Sequence, residues 1–142
     1  MFVGTVVDRP VLTIDHGDGG TPEVFKLMAE RKVALCPTLA AGDATTQYAG
    51  WKKGTDPEPA RIARKRASFK AALAANVIMC AGSDVGVFPH GDSVRELEMM
   101  VEYGMTAPQV LQSATSINAR ILHMQDRLGV VKANALADLI AV

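Results

Sequence analysis

Apolar residues along the chain fall into two rhythms, short continuous runs and helical stripes. Val11 to Ile14 is a short run, partly β-branched, of the kind that forms a buried strand. It stops at Asp15-His16-Gly17. Thr21-Pro22-Glu23 then has the features of a helix start: a hydroxyl at the cap, proline at the first helical position and an acid in the first turn. Val24, Leu27, Met28 and Arg31 fall on one face of that helix. Lys32 to Leu39 reads as a second strand, with Pro37 near its end because proline has no N–H for a ladder. Residues 40–56 are small and polar and include Gly42, Gly50, Gly54 and Trp51, which predicts a long loop or lid. Pro57 to Ala75 is the longest expected helix. Ile62, Phe69 and Leu73 form its apolar side, and Arg61, Arg64, Lys65, Arg66 and Lys70 a solvated outer face. Val77 to Ala81 is a third strand that runs into Gly82-Ser83-Asp84. A loop to His90-Gly91 follows, then helices from Asp92 to Tyr103, from Thr106 or Ala107, and from Ser116 to His123. From Leu128 the pattern turns strand-like through "ADLIAV".

Strands separated by helices imply parallel pairing with right-handed crossovers. Near-continuous apolar strands imply a sheet covered on both faces. The pattern therefore leaves an open doubly wound α/β sheet or part of a (β/α)8 TIM barrel. His16, Thr38 and Asp84 all fall at C-terminal strand ends, the edge where both folds build their sites.

Composition narrows the class of protein. The chain has 142 residues, 49% hydrophobic and 21% charged, as expected for one ordinary globular domain. Its formal net charge is zero, so no overall field calls for nucleic acid or an anionic membrane. No apolar run approaches the ~18 residues of a membrane span. The start, MFVGTVVDRP, lacks the basic segment and long apolar core of a signal peptide. Cys36 and Cys80 each lie in an apolar run and read as buried thiols of a cytoplasmic protein.

The strand ends carry the candidate chemistry. An imidazole and a carboxylate at neighbouring strand ends can share a divalent metal, since both are ordinary zinc donors. A carboxylate beside an activated water can also take its proton. Residue types alone leave a second reading open, in which His16 is a hydrogen-bonded structural histidine and Asp84 a turn or helix cap.

Five stretches in order, "TIDHGDGG", "VALCPTL", "AGSDVGVFPHG", "MTAPQVLQSATSINARIL" and "DRLGVVKANALADLIAV", resemble the C-terminal part of the metal-dependent amidohydrolase superfamily. The likeness is greatest to its imidazolonepropionase-like and prolidase-like branch. The resemblance implies that Val11 to His16 is barrel strand six, Lys32 to Thr38 strand seven and Val77 to Asp84 strand eight. It divides the chain into residues 11–126, the C-terminal part of the barrel, and 127–142, a strand segment of the accessory β domain, with residues 1–10 unassigned. It implies that His16 and Asp84 bind metal and that Asp84 is also the catalytic general base. His90 and Thr38 become candidate substrate contacts. The implied cofactor is a divalent metal, zinc, as one or two ions in the complete enzyme.

The family's first-strand His-x-His pair, strand-four lysine and strand-five histidine have no counterpart here, and the chain's three histidines, His16, His90 and His123, all fall elsewhere. Asn134-Ala135 stands where the family usually has a glycine before "ADL". His123 matches no functional position.

The resulting expectation is a fragment of an amidohydrolase that cleaves C–N amide bonds in a dipeptide, an N-acyl amino acid or a cyclic amide. The chain alone is expected to be inactive. It is also expected to form homo-oligomers or aggregates through an exposed barrel-interior face, with no nucleic-acid or membrane partner. Two alternatives stand beside it: a non-catalytic α/β module that acts in packing or oligomerisation, and an open α/β domain whose "GSDVG" turn, residues 82–86, holds an anion.

Overall fold

The structure, a computed structural model, describes residues 11–140. Three short strands, β1 (Thr13–Asp15), β2 (Ala34–Cys36) and β3 (Ile78–Met79), form one parallel sheet in the order β1-β2-β3. The register pairs Ile14 with Leu35 and Leu35 with Met79. Helix α1 (Pro22–Arg31) connects β1 to β2, and α2 (Leu39–Tyr48) with α3 (Ala60–Ala74) connects β2 to β3. After β3 come a 3-10 turn (His90–Asp92), α4 (Val94–Glu102) and α5 (Ala107–Gln112). A π-helical turn (Ser113–Ile117) joins α5 to α6 (Asn118–Ile121).

Side-chain alternation decides what each face of the sheet does. Ile14, Leu35 and Met79 join a core made with Phe25 and Met28 of α1, Phe69 and Ala72 of α3, and Met99, Met100 and Tyr103 at and beyond α4. Burying a Leu, Phe or Met side chain contributes about 1.5–3 kcal/mol each. Phe69 and Tyr103 meet edge to face at 6.1 Å. On the opposite face Thr13, Cys36 and Ile78 are half-buried, and Ala34 between Thr13 and Ile78 is buried.

The expected helix start at α1 is present, with the Thr21 hydroxyl accepting from the Val24 amide. At α5 the cap is fuller: Thr106 accepts from the Gln109 amide and Gln109 Oε1 accepts from the Thr106 amide.

Three expectations are corrected. Most of the loop or lid expected over residues 40–56 is helix α2, largely buried. Alanine-rich sequence favours a helix wherever its ends are capped, and the cap here comes from a distant residue. Lys65, placed on the solvated face of α3, is buried at 6% exposure and pairs with Asp18. The segment after Leu128 forms turns and unpaired chain through Ile140, with no strand among the described residues. A strand needs a ladder partner, and among the described residues this segment pairs with none of the three strands. Asn134 there adopts φ +67°, the left-handed conformation that glycine would supply, and asparagine is one of the few other residues to do so readily. The expectations for residues 1–10, Ala141 and Val142 lie outside the described residues.

Candidate functional site

All three strands run in one direction, so the residues that follow them leave from one edge. His16 directly follows β1, Thr38 lies two residues beyond β2, and Asp84 lies five residues beyond β3. All three have left-handed backbones, with φ of 69°, 47° and 55°. Such a conformation is uncommon for any non-glycine residue and a genuine outlier for β-branched threonine. It persists only where surrounding structure holds it, and such residues cluster at functional sites.

His16 is held from both sides. Its amide donates to the Cys36 carbonyl at 2.9 Å, extending the β1–β2 ladder by one residue. Its ring Nδ1 lies 2.5 Å from Thr38 Oγ1, and that hydroxyl lies 2.8 Å from the Pro37 carbonyl oxygen. The turn beyond is tied to α3. Ser68 Oγ donates to the Gly17 carbonyl at 2.7 Å, and Lys65 Nζ lies 2.5 Å from Asp18 Oδ1. Gly17 is required here twice over. Its φ is +64°, and a Cβ would come 2.5 Å from Leu35 Cδ1.

Thr38 occupies the N-cap position of α2, yet its side chain makes no cap bond. Glu96 of α4 takes that role. Its Oε1 accepts from the Leu39 amide at 3.0 Å and its Oε2 from the Ala40 amide at 2.7 Å. At 1% exposure, burial pushes the Glu96 carboxyl above the usual range, against the two amide bonds and the field of Lys65, which pull it down. Asp43, in the middle of α2 and fully buried, is 2.7 Å from Arg95 Nη2 and 2.9 Å from Lys53 Nζ. A second tie secures the end of β3: Asn118 Nδ2 donates to the Ala81 carbonyl at 2.8 Å and Oδ1 accepts from its amide at 3.2 Å.

Asp84 is exposed and begins a turn in which the Val87 amide donates to its carbonyl at 3.3 Å. Phe88 anchors that loop in the core, with the Arg95 guanidinium over its ring at 5.6 Å. His90 is exposed at the start of the 3-10 turn. An open cleft of about 380 Å³ beside β3 is lined by Gly82, Ser83, Glu96 and Asn118 among others, but by none of His16, Thr38, Asp84 or His90. Cys36 on β2 is half-buried and Cys80, directly after β3, is buried, both as free thiols. A hydrogen bond with Cys36 and burial push the Cys80 thiol well above its ordinary range, so Cys80 keeps its proton.

His123 is the left-handed residue that ends α6. Its amide donates to Arg120, and the Met124 amide donates to Ala119. This helix-ending motif gives His123 a structural role.

The donor set fits a metal in part. With Nδ1 engaged by Thr38, His16 keeps Nε2 for a ligand bond, the arrangement in which a second residue orients a metal-binding imidazole. Asp84 leaves from the same sheet edge. Among the described residues no three His, Cys, Asp or Glu side chains gather into a metal cluster.

Sequence reasoning missed Glu96, Lys65, Ser68 and Asn118. For Glu96 a signal existed: it shares a helical stripe with Met99, Met100 and Tyr103, and an acid within an apolar stripe marks a buried carboxylate with partners.

Comparison with known proteins decides the family. Residues 6–142 match the amidohydrolase family. The chain belongs to that family. Its fold superposes on a Xaa-Pro dipeptidase with bound methionine in the active site, with a TM-score of 0.76 and 30% identity over 88% of this chain and 32% of that one. A prolidase complexed with N-methylphosphonate-L-proline gives 0.72 and 30% over 89% of this chain and 32% of that one. An amidohydrolase from Thermotoga maritima MSB8 shares the fold, at 0.62 and 21% identity over 89% and 30%. No curated protein matches the chain. This amidohydrolase chain thus spans about a third of the length of the solved relatives above. No helix among its described residues is long and apolar enough to cross a membrane.

Proposed function

We propose that β1, β2 and β3 are strands six, seven and eight of an amidohydrolase barrel. The enzyme built on them hydrolyses a C–N amide bond, in a dipeptide of the prolidase kind, an N-acyl amino acid or a cyclic amide. The observation that carries this reading is the set of three left-handed residues, His16, Thr38 and Asp84, at one edge of a parallel sheet. The similarity to a Xaa-Pro dipeptidase and a prolidase supports the dipeptide class.

In this reading His16 donates Nε2 to a divalent metal, zinc, and the Asp84 carboxylate is a second donor. A metal held there would supply Lewis acidity, making an attacking water more acidic and the amide carbonyl more electrophilic. Asp84 accepts the proton from that water, holds it on its carboxylate and returns it to the departing amine nitrogen. His90, exposed on the loop between β3 and α4, is the candidate substrate contact in this reading. Lys65 and Ser68 keep the Gly17–Asp18 turn from collapsing over the strand ends.

A catalytic zinc site takes about three protein ligands, and His16 and Asp84 are two. The 142-residue chain with added zinc should therefore give no turnover on a panel of dipeptides and N-acyl amino acids. Supplied with the first five strands of a prolidase-like relative, it should hydrolyse members of that panel. Asp84→Asn should then abolish turnover while circular dichroism and melting stay close to those of the parent. Hydrolysis that survives Asp84→Asn would sink the assignment.

A second reading, a module that associates through apolar surface, is favoured by Val131, Leu139 and Ile140, which are 86%, 67% and 90% exposed. It predicts dimers or larger species in light scattering, and a monodisperse monomer would remove it.

A further inference from the structure

The Thr38 hydroxyl has one proton and two neighbours that could receive it. One is the Pro37 carbonyl oxygen at 2.8 Å and the other is His16 Nδ1 at 2.5 Å. These neighbours are not equivalent. A carbonyl can only accept, and among the described residues the Pro37 carbonyl has no other hydrogen-bond donor. Pro37 and Thr38 are both buried, so an unpaired carbonyl there would carry the cost of a lost hydrogen bond. The imidazole nitrogen, by contrast, can donate or accept according to tautomer. Both contacts are satisfied together in one arrangement only: the hydroxyl donates to Pro37, and Nδ1–H of His16 donates to the hydroxyl.

We propose that Thr38 is a positioning residue that holds His16 in its Nδ1–H tautomer and so leaves the Nε2 lone pair free at the strand edge. The backbone has been arranged to permit this. A threonine at an N-cap ordinarily has an extended backbone and turns its oxygen to the helix amides. Here Thr38 is left-handed, at φ 47° and ψ 49°, and its side chain makes no cap bond. The amides it would have served, Leu39 and Ala40, are taken by Glu96 from α4. Glu96 thereby releases the hydroxyl, and Thr38 applies it to the ring on the neighbouring strand. This gives Thr38 a role toward His16 rather than toward substrate. It rests on the metal-ligand reading for its purpose, but not for its geometry.

The test reads the tautomer directly in metal-free protein. The 142-residue chain is labelled with ¹⁵N-histidine, and two-bond ¹H–¹⁵N spectra are recorded at a pH where the ring is neutral. The chain has only three histidines, and a His16→Gln control assigns the signal. A free imidazole prefers the Nε2–H form. The wild-type His16 should instead show the Nδ1–H pattern, with Nε2 at the shift of an unprotonated nitrogen. Thr38→Val, which keeps the volume and removes the hydroxyl, should return His16 to the free-imidazole preference, and Thr38→Ser should restore the Nδ1–H form. An Nε2–H ring in the wild type overturns the proposal whether or not any variant folds, and so does an Nδ1–H ring that persists in folded Thr38→Val. Zinc titration of the same samples separates the two readings. An Nδ1–H ring in a chain that binds no zinc even with the missing strands supplied would keep the positioning role and remove the metal one.

Discussion

Helix ends and strand ends both put non-glycine residues into left-handed backbones, and they do so for different reasons. Lys32, Asn76 and His123 follow helices, with φ between 56° and 59°. In each case the left-handed residue's amide donates three residues back and the next amide donates five residues back: Lys32 to Ala29 with Val33 to Met28, Asn76 to Leu73 with Val77 to Ala72, and His123 to Arg120 with Met124 to Ala119. The strain is offset within one turn by bonds to the helix's own carbonyls. His16, Thr38 and Asp84 follow strands, and their compensation for His16 and Thr38 comes from elsewhere in the fold. Thr38 gains the His16 ring, while Glu96, far along the chain, caps the helix that Thr38 opens. A left-handed residue at a helix end is a local solution to stopping a helix. At the strand ends it is a tertiary commitment that aims side chains at one edge.

The strongest way to break the contrast is to remove the distant cap. A buried donor left unpaired costs about 1–3 kcal/mol, so Glu96→Ala, which strands two, should destabilise by about 3 kcal/mol in urea unfolding. Glu96→Gln, with one acceptor oxygen, should lose roughly half of that. The carboxyl also leaves a pH signature. Its folded value is raised above the ordinary 4.5, so its contribution is fully present below about that pH and is lost as pH rises through the folded value. Midpoints for the wild type should therefore fall, relative to Glu96→Gln, as pH rises from the ordinary value. A difference that grows in the opposite direction would mean that the carboxylate is held ionised.

Gly17→Ala probes the same edge. The left-handed backbone costs an L-residue about 1–2 kcal/mol and overpacking against Leu35 about 1–3 kcal/mol, which sums to about 2–5 kcal/mol of lost stability. A tolerated alanine would show that the turn moves freely and is not fixed by Ser68 and Lys65.

Thr38→Gly should uncouple strain from function. Glycine relieves a left-handed cost of about 1–2 kcal/mol, which offsets the about 1–3 kcal/mol of leaving the Pro37 carbonyl unpaired, so stability should change by no more than about 1 kcal/mol. Zinc affinity of the assembled enzyme should nonetheless fall about 10–100-fold, as when a residue orienting a metal ligand is removed.

The smallest effect belongs to the helix end. Lys32→Gly should stabilise the chain by about 0.5–1 kcal/mol, the relieved strain less the extra freedom of glycine when unfolded. A loss on that substitution would place Lys32 with the strand-end residues and erase the contrast.

What was legible in the sequence follows the same division. Strand-like runs at Val11, Lys32 and Val77, the Thr21-Pro22 helix start and the Thr106 start are patterns of neighbours, and each appears close to its expected place. The candidate residues His16, Thr38 and Asp84 were visible because they stand where apolar runs stop. Helix α2 was not visible, because its alanine, glycine and threonine composition also suits a loop and its cap lies 56 and 57 residues away. Lys65 was read as surface because five basic residues on one helix look alike until one of them finds Asp18 across the fold.

By itself the amino-acid order determined the strand-helix alternation, the parallel sheet that follows from it and the kinds of side chain available at the strand ends, since each depends on periodicity and intrinsic conformation over a few neighbouring residues. Only the tertiary structure decided which hydroxyl meets the His16 ring, which carboxylate caps α2 and which lysine braces the turn. Those pairings join residues 22 to 57 positions apart, and nothing in local sequence specifies a partner across such distances until the sheet and its helices have packed.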